Sequence, residues 1–219
     1  MESTTLKESL SQFQAEFVQT LPESVQVTMS KATQDLIESG IVNRILLPGE
    51  KIPTIALPNA TGNIVNVNQQ LASGPLVLSF YRGGWCPYCN LELKALQAKL
   101  PEIQALGAQL IAISPETLDN SLSTTEKNAL EFEVLSDRGN QIARTFGLVF
   151  TLPETLRPLY TSFGIDLAAY NGDETFELPL PAIYIVATDG TVKLAFADPD
   201  YTKRLEPAEI IQTLKELAA

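Results

Sequence analysis

Read for its apolar positions, the chain changes period along its length. Leu6, Leu10, Phe13 and Phe17 recur three and four residues apart, the spacing of one helix face, and Leu36 and Ile37 centre a second helix predicted over residues 32–41. From Leu46-Leu47-Pro48-Gly49 the pattern turns strand-like, and residues 52–57 and 63–67 read as a hairpin turning at Thr61-Gly62-Asn63. The run from Pro75 to Tyr81 is apolar and follows Gly74, as a buried strand follows a turn. Good helix formers then fill residues 90–100, with Pro101 expected to close the helix. A strand over 109–113 ends at Ser114-Pro115, and helices near 117–130 and 140–146 flank a short strand at 132–135. Residues 149–176 show no clear period and carry Pro153, Pro158, Gly164 and Gly172, so an irregular insertion is expected, of a length that suits a lid or an interface. Residues 181–186 and 192–196 form a second predicted hairpin across Thr188-Asp189-Gly190, and a helix over 207–217 ends the chain.

Strand, helix, strand at this spacing requires a parallel crossover, which places the chain in the α/β layered class. At 219 residues one well-filled domain fits better than two. The division expected is an N-terminal helical extension over 1–45 and a domain over 46–219 that carries the 149–176 insertion. The apolar stripe of the extension is a packing face, against the domain or against a second subunit of a homodimer.

The chemistry lies in Trp85-Cys86-Pro87-Tyr88-Cys89, which holds the only two cysteines and the only tryptophan. The pair falls where the apolar strand gives way to the helix, and the free amides of a first helical turn favour a thiolate. Helix N-termini and C-x-x-C spacing lower a thiol from about 8.5 by one to several units. Cys86 is therefore the expected nucleophile, and Cys89, a turn further on, the thiol that resolves a mixed disulfide. Pro87 supplies a preset first helical residue and no surplus donor. Arg82, four residues before Cys86, is a candidate to stabilise the thiolate, the alternative being a surface salt bridge. Glu92 and Lys94 read as solvated positions on the helix surface. A zinc site needs about four ligands, and with no histidine and no third cysteine a thiolate site would have to be shared across a dimer.

Composition narrows the function. The absence of histidine removes triads, imidazole acid–base chemistry and histidine metal sites. A formal charge of −11 opposes binding to nucleic acid or anionic lipid. No apolar run approaches the ~18 residues of a membrane span, and no basic-then-apolar leader opens the chain, so a cytoplasmic location is expected. A lone C-x-x-C fits that reducing compartment. No phosphate loop or dinucleotide fingerprint is present, and no cofactor is expected.

The order of elements, with Phe80-Tyr81-Arg82-Gly83-Gly84-Trp85-Cys86-Pro87-Tyr88-Cys89, Ile113-Ser114-Pro115, Leu135-Ser136-Asp137, Phe146-Gly147, Ile183-Tyr184-Ile185-Val186 and Asp189-Gly190, resembles the thioredoxin fold over about residues 46–217. Within it the pattern resembles the alkyl hydroperoxide reductase and thiol-specific antioxidant branch, the peroxiredoxins. The resemblance implies a central mixed sheet flanked by helices and redox cycling between Cys86 and Cys89. It also implies a thioredoxin or glutathione donor and a disulfide or peroxide as substrate. Registered on that branch, the peroxidatic position falls on Cys89, its threonine on Cys86, its proline on Arg82 and its late arginine on Pro181. The substituted set is closer to disulfide reductases: Trp85 before the first cysteine resembles thioredoxin, and Cys86-Pro87-Tyr88-Cys89 resembles glutaredoxin. Pro181 then matches the cis-proline that packs on the disulfide in that superfamily, and Phe80 stands where thioredoxins keep a buried acid. Three functions follow as expectations. The first is a thiol–disulfide oxidoreductase, the second a thiol peroxidase, and the third a redox-regulated or zinc-stapled interaction module.

Overall fold

The computed structural model describes residues 4–218. Two helices open it, α1 (Leu6–Gln19) and α2 (Glu23–Glu38). A capping box starts α1: Thr5 accepts the Glu8 amide while the Glu8 carboxylate accepts the Thr5 amide. The second helix begins nine residues before the stretch predicted from periodicity, because only Ala32 on it is fully buried and its N-terminal half shows little apolar stripe.

The hairpin is shorter than its apolar pattern, with β1 (Ala56–Pro58) paired to β2 (Ile64–Asn66), and α3 (Val67–Gln70) follows directly. The chain then lays down β3 (Leu76–Phe80), α4 (Pro87–Ala105), β4 (Gln109–Ser114), α5 (Leu118–Lys127), β5 (Glu133–Ser136) and α6 (Gln141–Thr145). Next come β6 (Val149–Thr151), α7 (Arg157–Ser162), α8 (Leu167–Asn171), β7 (Glu177–Pro179), β8 (Ala182–Val186), β9 (Val192–Ala197) and α9 (Pro207–Ala218).

Five strands make the central sheet in the order β5-β4-β3-β8-β9. The crossovers through α4 and α5 make β3, β4 and β5 parallel, and β8 and β9 return antiparallel, with Phe80 between Ile113 and Ala182. This is the α/β thioredoxin-like architecture with a mixed sheet. All five residues of β3 and of β8 are buried, as strands covered on both faces must be. Alternation sorts them: Val77 and Ile183 face α1, α4 and α9, while Leu76, Leu78 and Phe80 face the layer holding Ile41, Phe146 and Tyr184. Phe80 therefore packs against Phe146, with ring centroids 4.8 Å apart, on the sheet face opposite the thiols.

Two expectations fail here. Pro101 does not close α4, which runs on to Ala105. Proline inside a helix costs about 3 kcal/mol, and burying Leu100 and Ile103 on either side of it returns roughly 1.5–3 kcal/mol each. The 149–176 segment is also not irregular. It holds β6, α7 and α8, and β6 pairs with β7. Leu152, Leu156, Tyr160, Leu167 and Leu178 build a third small core with Ala32 of α2, so the insertion and the N-terminal extension pack on each other.

Candidate active site

The chain leaves β3 with the Tyr81 amide still donating to Ile113, turns through residues 82–85 and enters α4 with Cys86 as N-cap and Pro87 as the first helical residue. Asn90 holds this turn from inside the helix. Its amide nitrogen donates to the carbonyls of Gly84 (2.8 Å) and Cys86 (3.0 Å), and its oxygen accepts from Asn128 (2.8 Å). Gly83 is required for close approach, since a Cβ there would fall inside the Trp85 indole. Gly84 is pressed equally tightly against Thr124.

Both thiols are free and buried, Cys86 1% exposed and Cys89 0%. Their acidities diverge. Burial pushes Cys86 up, but a hydrogen bond from the Cys89 thiol, the charges of Arg82 and Arg204 and the Cys89 amide overcome it and bring the thiol down to about 6. Cys89 is pushed well up, first by burial and then by sharing its proton with Cys86. The shifts favour the thiolate at Cys86 and the thiol at Cys89.

Arg82 is 2% exposed, so the surface salt bridge is excluded by burial. One guanidinium nitrogen, Nη2, donates to the Tyr160 hydroxyl, and the group lies 4.6 Å from the Tyr201 ring centroid and 5.0 Å from that of Trp85. Among the described residues no carboxylate pairs with it. Trp85 is half-buried and lies 5.6 Å from the Tyr160 ring. Tyr88, 3% exposed, sits edge-on between Phe13 and Tyr201, and Pro87 is exposed. Over Cys86 lies a cleft of about 50 Å³, walled by Phe13, Phe17, Tyr88, Phe163 and Tyr201.

Pro181 takes a different place from the one the resemblance implies. No cis peptide bond occurs among the described residues. Leu180 donates to Leu148 beside β7, and Ala182 already pairs with Phe80, so the chain passes extended from one sheet to the other, a path a trans bond follows directly. Pro181 lines a cavity beside Arg82 and Tyr201 rather than the cleft over Cys86.

Glu92 is the other correction. It is 2% exposed rather than solvated, whereas Lys94 is exposed. Its carboxylate accepts from Arg204 Nε at 2.7 Å, and Arg204 Nη2 lies 3.4 Å from Cys89 Sγ. An arginine thus does reach the cysteine in the peroxidatic register, from the segment after β9 and not from position 181. Burial, opposed by Arg204, lifts Glu92 to about 7. The signal for Glu92 was in the sequence: it lies three residues after Cys89 on the stripe that continues through Leu93, Leu96 and Leu100.

The missing buried acid is supplied from elsewhere. Glu116, 0% exposed, stands just beyond the end of β4. It accepts from the Gly84 amide at 2.9 Å, from Thr124 Oγ1 at 3.3 Å and from the Tyr81 hydroxyl at 3.4 Å. Burial lifts it to about 7 against the hydrogen bonds from Gly84 and Thr124. Its position past the carboxyl end of a strand parallel to and beside β3 is where α/β sheets place functional groups. Arg204, Tyr160 and Tyr201 left no comparable mark in the sequence.

Comparisons with known proteins bear on the family and the fold. The profile of the AhpC/TSA family matches residues 48–195. A putative peroxiredoxin bcp of Buchnera aphidicola is 28% identical over 103 residues, which are 47% of this chain and 65% of that one. The thiol-disulfide oxidoreductase ResA of Bacillus thuringiensis is 27% identical over 119 residues, 54% of this chain and 63% of its own. The matched stretch therefore spans just under two thirds of either relative. The crystal structure of peroxidoxin BcpB from Mycobacterium tuberculosis superposes with a TM-score of 0.61 at 20% identity, covering 78% of this chain and 97% of that one, a likeness of fold.

Proposed function

The chain belongs to the AhpC/TSA family of thiol-based redox proteins, and from that premise we propose that it is a thiol–disulfide oxidoreductase cycling through a Cys86–Cys89 disulfide. The observation that carries this is the split between the two thiols, one brought down to about 6 at a helix N-cap and its neighbour held protonated a turn away. The Cys86 thiolate attacks a substrate disulfide, forms a mixed disulfide and expels the first substrate sulfur as thiolate. Cys89 then gives up its proton, attacks the Cys86 sulfur and closes the 86–89 bond, and the second substrate sulfur leaves. The substrate has gained two electrons and the protein has lost two. Another group or water must take the Cys89 proton, and Glu116, which accepts from the Gly84 amide of the same turn, is the carboxylate to test for that role. Reduced thioredoxin or glutathione returns the protein to the dithiol in this reading, in the cytoplasm.

A second reading, a thiol peroxidase, is favoured by Arg204 against Cys89 Sγ and by the small cleft over Cys86, which admits a peroxide more easily than a protein disulfide. Here one sulfur takes the distal peroxide oxygen as a sulfenic acid, alcohol or water leaves, and the other sulfur displaces hydroxide to form the same disulfide.

One pair of variants tests both. Cys89→Ser incubated with a small disulfide should accumulate a mixed disulfide on Cys86 by mass spectrometry, while Cys86→Ser should accumulate none. Stopped-flow fluorescence of Trp85 after hydrogen peroxide supplies the other arm. Oxidation orders of magnitude faster than free cysteine of equal thiolate fraction would overturn the first reading in favour of the second.

A further inference from the structure

Arg82 presents an unsolved charge. A guanidinium has five N–H donors and cannot shed its proton. Among the described residues only one of Arg82's nitrogens has a protein acceptor, and Nε is buried with none. A buried cation is tolerated when paired. In the dithiol protein the Cys86 thiolate partly meets that need. In the disulfide protein it cannot, because both sulfurs are then neutral.

Arg82 also lines a second cavity of about 210 Å³ that Cys86 does not border. Met29, Arg82, Tyr160 and Tyr201 border both spaces, so Arg82 belongs to the wall that the thiol cleft and this cavity share. The rest of the lining is mostly apolar, with Ala32 and Leu36 from α2, Phe150, Leu152 and Leu156 from β6 and the segment after it, and Leu180 before β8, and it includes the polar Thr33, Ser39 and Thr151. The outer rim is solvent-exposed, with Asp35 there already paired to Lys31 at 3.3 Å. Apolar cavities of ~150 Å³ take up a benzene ring, whereas drug-sized sites run from about 300 Å³, so the space suits a short chain or a single ring. The N-terminal extension and the 149–176 insertion supply most of its walls.

We propose that this cavity binds a small carboxylic acid with an apolar tail of about five carbons, its carboxylate on the Arg82 guanidinium, and that it binds the disulfide form more tightly than the dithiol form. The carboxylate satisfies free donors of Arg82 and the tail displaces water from the aliphatic wall. The redox preference rests on the Cys86–Cys89 cycle proposed above; the binding itself does not. Linkage makes the effect reciprocal: if the acid binds the disulfide form tenfold more tightly, saturation moves the reduction potential ~30 mV more negative.

Calorimetric titration of the full chain with hexanoate, in each redox form, tests this. The expected result is one site, at least tenfold tighter in the disulfide form, with acetate and 1-hexanol each at least tenfold weaker because one lacks the tail and the other the charge. Ala32→Phe fills the cavity from α2, and Leu36→Trp does so by a second route should the first fail to fold. Either should weaken hexanoate at least tenfold while Cys86 alkylates at its usual rate. Equal binding of hexanol and hexanoate, equal affinity of the two redox forms, or undiminished binding by folded cavity-filling variants would overturn the proposal. Absence of hexanoate binding in a protein that still forms the 86–89 disulfide overturns it alone, whereas failure to form that disulfide overturns the redox reading instead.

Discussion

Arg82 and Arg204 both bring a buried positive charge to the pair of sulfurs, yet the protein treats the two charges differently. Arg204 is neutralised by Glu92 at 2.7 Å and spends its other nitrogens on Cys89 and on the Tyr201 and Lys203 carbonyls. Arg82 has aromatic faces and one hydroxyl. A cation with a built-in carboxylate exerts a field that changes little through a redox cycle. A cation without one depends on whichever anion the chemistry supplies, so its side of the site is where oxidation is felt.

The largest effect expected is on stability at the Arg204 side. Glu92→Leu leaves an arginine that cannot deprotonate buried without its carboxylate, and should cost about 3–5 kcal/mol by urea unfolding of the dithiol form. Arg82→Met strands no carboxylate and loses ring contacts and one hydrogen bond to the Tyr160 hydroxyl, so its cost should stay below about 2 kcal/mol. A cost at Arg82 equal to that at Glu92 would show that the two arginines are equivalent and break the comparison.

Reactivity should reverse the ranking. Arg82→Met removes the stronger of the two charges holding the Cys86 thiol down, and iodoacetamide alkylation at pH 7 should slow by about tenfold as the thiol climbs toward its ordinary range near 8.5. The apparent thiol pKa, read from thiolate absorbance, should rise in step.

The pH dependence of stability sharpens the contrast further. Glu92 and Glu116 are both raised to about 7, so their contribution is full below the unfolded carboxyl value and is lost as pH rises through 7. Cys86 is lowered to about 6, so its contribution is present above the unfolded thiol value and is lost as pH falls through 6, in the dithiol form only. Glu116→Gln should therefore flatten the decline between about pH 4.5 and 7 in both redox forms, and the dithiol form should gain on the disulfide form from about pH 6 to 9. The smallest effect belongs to the aromatic roof. Phe13→Ala, which opens the cleft over Cys86, should speed reaction with bulky disulfides more than with hydrogen peroxide and leave the Arg204 side untouched.

The parts of the site that lie within one stretch of chain were legible beforehand. Strand, Cys86 N-cap, Pro87 and the helical turn to Cys89 follow from local propensity and spacing, and the fold follows from the order of apolar periods. Where local rules met buried surface, they failed. Proline should have ended α4, but Ile103 beyond it has a core to enter. Residues 149–176 looked aperiodic because their short elements bury single side chains such as Tyr160 and Leu167 against α2, leaving no stripe long enough to count. Lys94 is solvated as charge alone suggests, and Glu92, two residues away, is not, because helix phase rather than charge decides which way a side chain faces.

The sequence by itself determined the layered α/β class and the dithiol at a helix N-terminus, and it excluded histidine chemistry, because these depend on residues close together or on composition. Only the tertiary structure decided what surrounds the sulfurs. Glu116 arrives from the end of β4 and Arg204 from beyond β9. Tyr160 comes from the insertion and Phe13 from the extension, each separated from Cys86 by tens of residues. Burial and charge at a point in space sum over whatever the fold brings there, and that sum, not the motif, holds one thiol near 6 and its neighbour protonated.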